Sequence, residues 1–319
     1  MKPAPGSALA FPPETSLQPL EVEVLRTLLY YHIFSFPLNC EEIKRQIERT
    51  VTNTEEMVGV LAGLEKRGMI GRDEDLYHLD EPESAALRRE SEARAHAVMP
   101  RARSRSAFIA RLPYVRAVAI SGTMSKGVMK AEDDLDFMVF TEPGRVWICR
   151  ALMMAFKKIF LFNSHRSFCV NYLLAVDSLE IPERDLFTAS EIAWLLPTVN
   201  GDLYDEFIAT NQWILDVFPN WRHRSVDAVT ELPRSGLKSI AEAVIDRIGG
   251  DRLDRWCRRF IARRNRRRYR HLDDEVFEIA LRTEANASKH HPRAFRHHTL
   301  SRYQQAVRKF EARYGVVLG

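Results

Sequence analysis

The sequence predicts an α+β chain built from distinct parts, on three observations. Apolar residues recur at helical spacing over residues 20–64, two short apolar runs, the first rich in β-branched residues, occupy the middle, and helical periodicity dominates the remainder. At 319 residues with 45% hydrophobic content, the chain has material for two or three packed units.

Residues 1–19, rich in Pro, Ala and Ser, read as a flexible tail without the basic and apolar succession of an export signal. Over residues 20–82, Val22, Leu25, Leu28, Leu29 and Ile33 mark a first amphipathic helix. Asn39 with Glu42, and Asn53 with Glu56, have the spacing of capping boxes and so open two more helices. The third carries Met57, Leu61 and Leu64 inward and stops at Lys66-Arg67-Gly68. Met69-Ile70, a charged turn from Gly71 to Asp75, and Leu76 to Leu79 then form a hairpin. Three helices and a hairpin in this order make a winged-helix-like unit. Such units bind DNA through the start of the third helix, but here that start holds Glu55 and Glu56, whose charge repels phosphate and favours packing or partner docking.

Residues 83–112 predict a charged helical connector, with Arg88, Arg89, Arg94, Arg101, Arg103 and Arg105 along it and Pro100 set to kink or divide it. Its arginines read as a solvated face or as a basic wall for the segment that follows.

That segment, residues 113–182, carries the chemistry. Val115-Arg116-Ala117-Val118-Ala119-Ile120 has the length and composition of a buried strand and ends in Ser121-Gly122-Thr123. After a spacer of ten residues come Asp134-Leu135-Asp136 and then Phe137-Met138-Val139-Phe140, a second buried strand. Period-two alternation turns Asp134 and Asp136 to one side and Leu135 and Phe137 to the core. Two neighbouring carboxylates suit Mg²⁺, which is usually held by one or two acids plus substrate phosphates. A glycine at 122 lets backbone N–H groups approach a phosphate; Ser121 and Thr123 add hydroxyls, and Lys126 a cation. Paired metal ions are one established way to activate an attacking oxygen and neutralise a leaving pyrophosphate.

Gly122-Thr123 with Asp134-Leu135-Asp136-Phe137 resembles the glycine-serine and paired-aspartate signature of the DNA polymerase β-like nucleotidyltransferases. The words from Val118 to Thr123 and from Thr141 to Trp147 are similar, more narrowly, to bacterial nucleotidyltransferase-domain proteins. Phe168 to Tyr172, Thr188 to Glu191 and Asn211 to Trp213 extend that similarity. The resemblance implies a central mixed sheet with helices and transfer of a nucleoside monophosphate from an NTP to an acceptor. It implies Mg²⁺, with Mn²⁺ as an alternative, held by Asp134 and Asp136 as metal ligands and catalytic acids, and a nucleotide held by Ser121, Gly122, Thr123 and Lys126. It also implies a third acid on a later strand. That strand is Ser167 to Ala175, and its inward polar residue is Asn171, either a strand-end hydrogen bonder or a weaker metal ligand, with Asp177 and Glu180 just beyond as substitutes. A catalytically weak regulator that binds nucleic acid or a protein is the alternative function.

Residues 183–319 predict a mostly α-helical region, broken at Pro197, Pro219 and Pro233 to Gly236. From Arg247 to Arg270 there are eleven arginines around a stripe of Leu253, Trp256, Cys257, Phe260 and Ile261, a solvated face or a contact for nucleic acid. Aromatics are expected to face inward there. The cluster of His290, His291, His297 and His298 lacks nearby Cys and is not read as zinc-binding.

A formal charge of +4, from 47 basic and 43 acidic residues, does not by itself indicate nucleic acid. The most apolar stretch, Trp147 to Phe162, is interrupted by Arg150, Lys157 and Lys158, so no membrane association is expected. Cys40, Cys149, Cys169 and Cys257 are widely spaced, as suits reduced thiols in the cytoplasm.

Overall fold

The computed structural model describes residues 17–79, 83–160, 168–231, 235–274, 277, 281–289 and 295–319. It is an α+β protein that divides into two compact units. One comprises the chain up to Arg88 with residues 218–220 and 299–319; the other comprises residues 89–217 and 221–298. Most of the expected tail, residues 1–16, lies outside the described residues, as do His290 and His291. Among the described residues no helix is long and apolar enough to cross a membrane.

In the first unit the order is α1 (Pro19–His32), β1 (Leu38–Asn39), α2 (Cys40–Gln46), α3 (Thr54–Lys66), β2 (Gly71–Asp73) and β3 (Leu76–His78). The expected box at Asn39 and Glu42 forms in full: the Asn39 side chain accepts from the Glu42 N–H, and Glu42 accepts from the Asn39 N–H at 3.0 Å. At α3 the Asn53 side chain caps the helix by accepting from the Glu55 N–H at 2.8 Å, and not from the Glu56 N–H that the expected box requires. Met57, Leu61 and Leu64 are fully buried, as their spacing requires. The hairpin β2–β3 turns at Glu74-Asp75, with Glu74 at positive φ, and β3 also pairs with the two-residue β1, which periodicity is too short to reveal. Residues 299–319 complete this unit: the Tyr314 hydroxyl donates to the Gly68 carbonyl at 3.0 Å, and Tyr303 meets Tyr30 edge to face.

The second unit holds a five-stranded mixed sheet in the order β7 (Leu196–Val199), β4 (Val115–Ser121), β5 (Asp136–Thr141), β6 (Cys169–Ala175) and β8 (Ala287–Lys289). Only the β5–β6 pair is parallel. α6 (Val146–Phe160) makes the crossover between them, and its Trp147, Ile148, Cys149 and Met153 enter the core with Val118, Ile120, Phe137 and Val139. α5 (Gly122–Ser125), α7 (Leu186–Ala193), α8 (Gly201–Thr210), α9 (Ile214–Val217), α10 (Gly236–Arg247) and α11 (Gly250–Arg268) also belong to this unit.

Residues 183–319 are mostly helical as expected, and the break expected at Pro197 falls between α7 and α8; the structure adds β8 and, within that break, β7, which holds Pro197 at the edge of the sheet, where its missing N–H is tolerated. Two expectations need correction. Pro100 does not divide α4 (Glu83–Ala110), because Ala95, Ala102 and Ile109 keep one flank buried on both sides of the proline. The region 183–319 is not one domain, since α12 (Phe295–Tyr314) passes into the first unit at residue 299.

Candidate active site

The site gathers where β4 ends and β5 and β6 begin. Ser121 closes β4 and pairs in register with Asp136, which opens β5; Asp136 in turn is in register with Cys169, the first residue of β6. Antiparallel pairing of β4 with β5 and parallel pairing of β5 with β6 therefore bring three sequence-distant segments to one end of the sheet.

Gly122 turns the chain away from β4 at φ +69°, a conformation that L side chains resist. A Cβ there would lie 2.8 Å from Oδ2 of Asp136, so the turn needs glycine on steric grounds as well. Thr123 follows, half-buried, and its carbonyl accepts from the Lys126 N–H at 3.0 Å. Ser125 donates its hydroxyl to the Gly122 carbonyl at 2.8 Å and accepts at its own carbonyl from Arg224 at 2.9 Å. The turn is thereby fixed from two sides.

Asp136 is set among Asn171, Cys169, Asp134 and Glu191. Burial pushes its carboxyl up to about 7, and the charges of Asp134 and Glu191 push the same way, while hydrogen bonds from Asn171 and Cys169 pull against them. Asp134 precedes the strand instead of lying in it, so alternation along β5 orients Asp136 but not Asp134. Its proximity is shown by its electrostatic effect on Asp136, Cys169 and Lys157. Among the described residues neither aspartate has an ion-pair partner.

Lys126 reaches back over the turn, 3.4 Å from the Gly122 carbonyl, and is paired with Glu191 at 2.8 Å. Asn171 shares a side of β6 with Cys169, whose thiol donates to the Asn171 side-chain oxygen at 3.1 Å. The amide thus supports Asp136 through hydrogen bonding, and its oxygen is already engaged. Asp177 and Glu180 follow β6 at its other end, both exposed, with Glu180 paired to Arg184, so neither reaches this site. Asn211 is wholly buried elsewhere; its side chain accepts from the Ile181 N–H and donates to the Leu179 and Phe207 carbonyls.

Four residues here escaped sequence reasoning: Cys169, Glu191, Lys157 and Arg224. Cys169 was accessible from its two-residue spacing to Asn171 on one strand. Lys157 approaches from the end of α6, Glu191 from α7 and Arg224 from the segment after α9; each depends on a tertiary approach that no local pattern carries.

Among the described residues no three His, Cys, Asp or Glu side chains form a metal-holding group. What stands together is a pair of carboxylates, one of them held against burial and like charge, beside a glycine turn. Such a pair suits a hard divalent cation whose remaining ligands are substrate phosphates and water. In comparisons with known proteins, no family model, no curated protein and no solved structure matches the chain.

Proposed function

We propose that this chain is a Mg²⁺-dependent nucleotidyltransferase with a DNA polymerase β-like central domain, moving a nucleoside monophosphate from an NTP to a hydroxyl or phosphate acceptor. The single observation that carries the reading is the abutment of Asp136 and Gly122: a carboxylate and a phosphate-accommodating turn in contact, with Asp134 beside them.

The sheet end supplies each requirement of that chemistry. Glycine at 122 permits the turn that brings the Asp136 carboxylate against the backbone, and Ser121 and Thr123 offer hydroxyl donors beside it. Lys126 provides a cation at the same turn, for which a triphosphate would compete with Glu191. Asp134 and Asp136 would hold the cation, and Asn171 and Cys169 fix the orientation of Asp136 by hydrogen bonds. A bound Mg²⁺ would supply charge neutralisation at the phosphates and a template for in-line displacement.

The order of elements in the first unit, with hairpin β2–β3 beside β1, supports a winged-helix-like reading. Glu55 and Glu56 stand exposed at the start of α3, which favours a protein partner over DNA there. A second reading, a weakly active or inactive regulator of nucleotidyltransferase fold, is favoured by one observation: β6 places the neutral Asn171 beside Asp136 where a third acid is expected.

The deciding experiment incubates the full chain with Mg²⁺ or Mn²⁺, each labelled NTP, and separate pools of RNA, protein and small molecules. The enzyme reading expects label in one pool, absent with Asp134→Ala/Asp136→Ala. NTP binding without transfer to any pool supports the regulator instead. No binding of any NTP would sink the enzyme reading.

A further inference from the structure

Helices α10 and α11 are amphipathic in an inverted sense. On α10 the polar side chains look into the protein: Lys238 donates to the Ala110 carbonyl at 2.8 Å, and Glu242 takes Arg116 at 2.8 Å. Of the aliphatic ones, Ile245 packs on the core and four look out. Leu237, Ile240, Val244 and Ile248, at steps of three, four and four, share one face and are 82%, 61%, 54% and 71% exposed. α11 repeats the theme. Cys257 and Ile261 enter the core, whereas Trp256 and Phe260 stack on each other in solvent, centroids 5.5 Å apart, at 60% and 55% exposure. This overturns the sequence expectation that both rings face inward.

Charge on the two helices is sorted as well. Glu242, Asp246 and Asp251 are paired with Arg116 and Arg145. Arg252, Arg259, Arg263 and Arg267 are exposed, and helical spacing puts them on the same face of α11 as Trp256 and Phe260. Both helices pack on one core through Ile245, Leu253, Cys257 and Ile261, so their outer faces look away from it.

We infer that the outer faces of α10 and α11 form a docking surface for an anionic lipid bilayer, on which the protein lies without crossing it. Two features select this occupant. A second copy of the chain would bring arginine against arginine. A nucleic acid would satisfy the arginines and stack on the two rings, yet leave the four aliphatic side chains in water. A surface with acidic headgroups above hydrocarbon matches both the charge and the aliphatic stripe. The inference stands apart from the nucleotidyltransferase reading, because it uses no residue of that site.

Flotation of the full chain with phosphatidylcholine vesicles, with and without phosphatidylserine, tests it. Binding is expected only with phosphatidylserine. Leu237→Ser/Ile240→Ser, which leaves charge and core untouched, should lower the partition coefficient about tenfold or more, because apolar burial in the bilayer is lost. Arg259→Gln/Arg263→Gln should weaken it further and reduce its salt sensitivity. Absence of flotation, or flotation unchanged by the serine pair, overturns the proposal. So does a wild-type dimer that the serine pair makes monomeric, which assigns the face to a second copy. Equal binding of a single-stranded oligonucleotide by wild type and serine pair, with displacement from vesicles, assigns it to nucleic acid.

Discussion

At the residue scale, the site depends on Gly122 and Asp136 occupying adjoining space. Gly122→Ala forces a Cβ to 2.8 Å from a carboxylate oxygen at a positive φ, and the left-handed conformation alone costs about 1–2 kcal/mol. Urea unfolding should show at least that loss, together with weakened nucleotide binding; a variant as stable as wild type would mean the turn relaxes freely. Asp136 makes a second prediction through its proton. Its carboxyl is raised to about 7 in the folded state, above the ordinary carboxylate value of about 3.9. Between those values the native state binds more protons than the unfolded one, so this group's contribution to stability is full below the lower value and is lost as pH rises through 7. Asp136→Asn should therefore flatten the fall in Tm between pH 5 and 8. An unchanged slope would show that other groups dominate that window. The pairing of Asp136 with Gly122 was legible in the sequence because both lie at the ends of strand-like runs. The position of Asp134 was read less well, since β5 begins two residues later than alternation suggested.

At the element scale, the placement of α6 rests on a cap that no local sequence contains. Asp254, on α11, accepts from the Trp147 and Ile148 N–H groups, both at 2.9 Å, so one helix caps another. Burial raises its carboxyl, and the two backbone donors oppose that rise. Asp254→Ala leaves two buried N–H groups without their acceptor and should cost about 2–4 kcal/mol by thermal or urea denaturation. A loss under about 1 kcal/mol would show that water replaces the carboxylate. The same cap explains why the stripe on α11 was misjudged. Periodicity alone placed Leu253, Trp256, Cys257, Phe260 and Ile261 inward, whereas the cap turns the helix so that Asp254, Cys257, Ile261 and Asn265 are buried and the two rings are not. Hydropathy cannot register a buried aspartate as an inward position. Short strands were lost for a related reason: β1, β7 and β8 have two, four and three residues, too few for a period to emerge.

At the scale of the whole molecule, the first unit is assembled from chain segments far apart in sequence, which the domain order read from the sequence did not foresee. Tyr303 packs on Tyr30, Arg26 donates to the Tyr303 hydroxyl at 3.4 Å, and Tyr314 reaches the Gly68 carbonyl. Removing residues 299–319 should raise hydrogen exchange across α1 and α3 while leaving β4 and β5 protected. Equal protection with and without the segment would show that it is dispensable to the unit. The α+β class, the first unit's three helices and hairpin, and strands β4 to β6 were legible from composition and period, because each is local. Membership of α12 was not, because it rests on contacts across most of the chain.

The central claim is that Asp134 and Asp136 join a divalent cation to a nucleotide at the Gly122 turn. Calorimetric titration of the full chain with each NTP in the presence and absence of Mg²⁺, repeated on Asp136→Asn, tests it most directly. The account predicts saturable, Mg²⁺-dependent binding of at least one NTP by the wild type, with proton release near neutral pH, and its loss in the variant. Binding of equal affinity by Asp136→Asn, or binding indifferent to Mg²⁺, would contradict it.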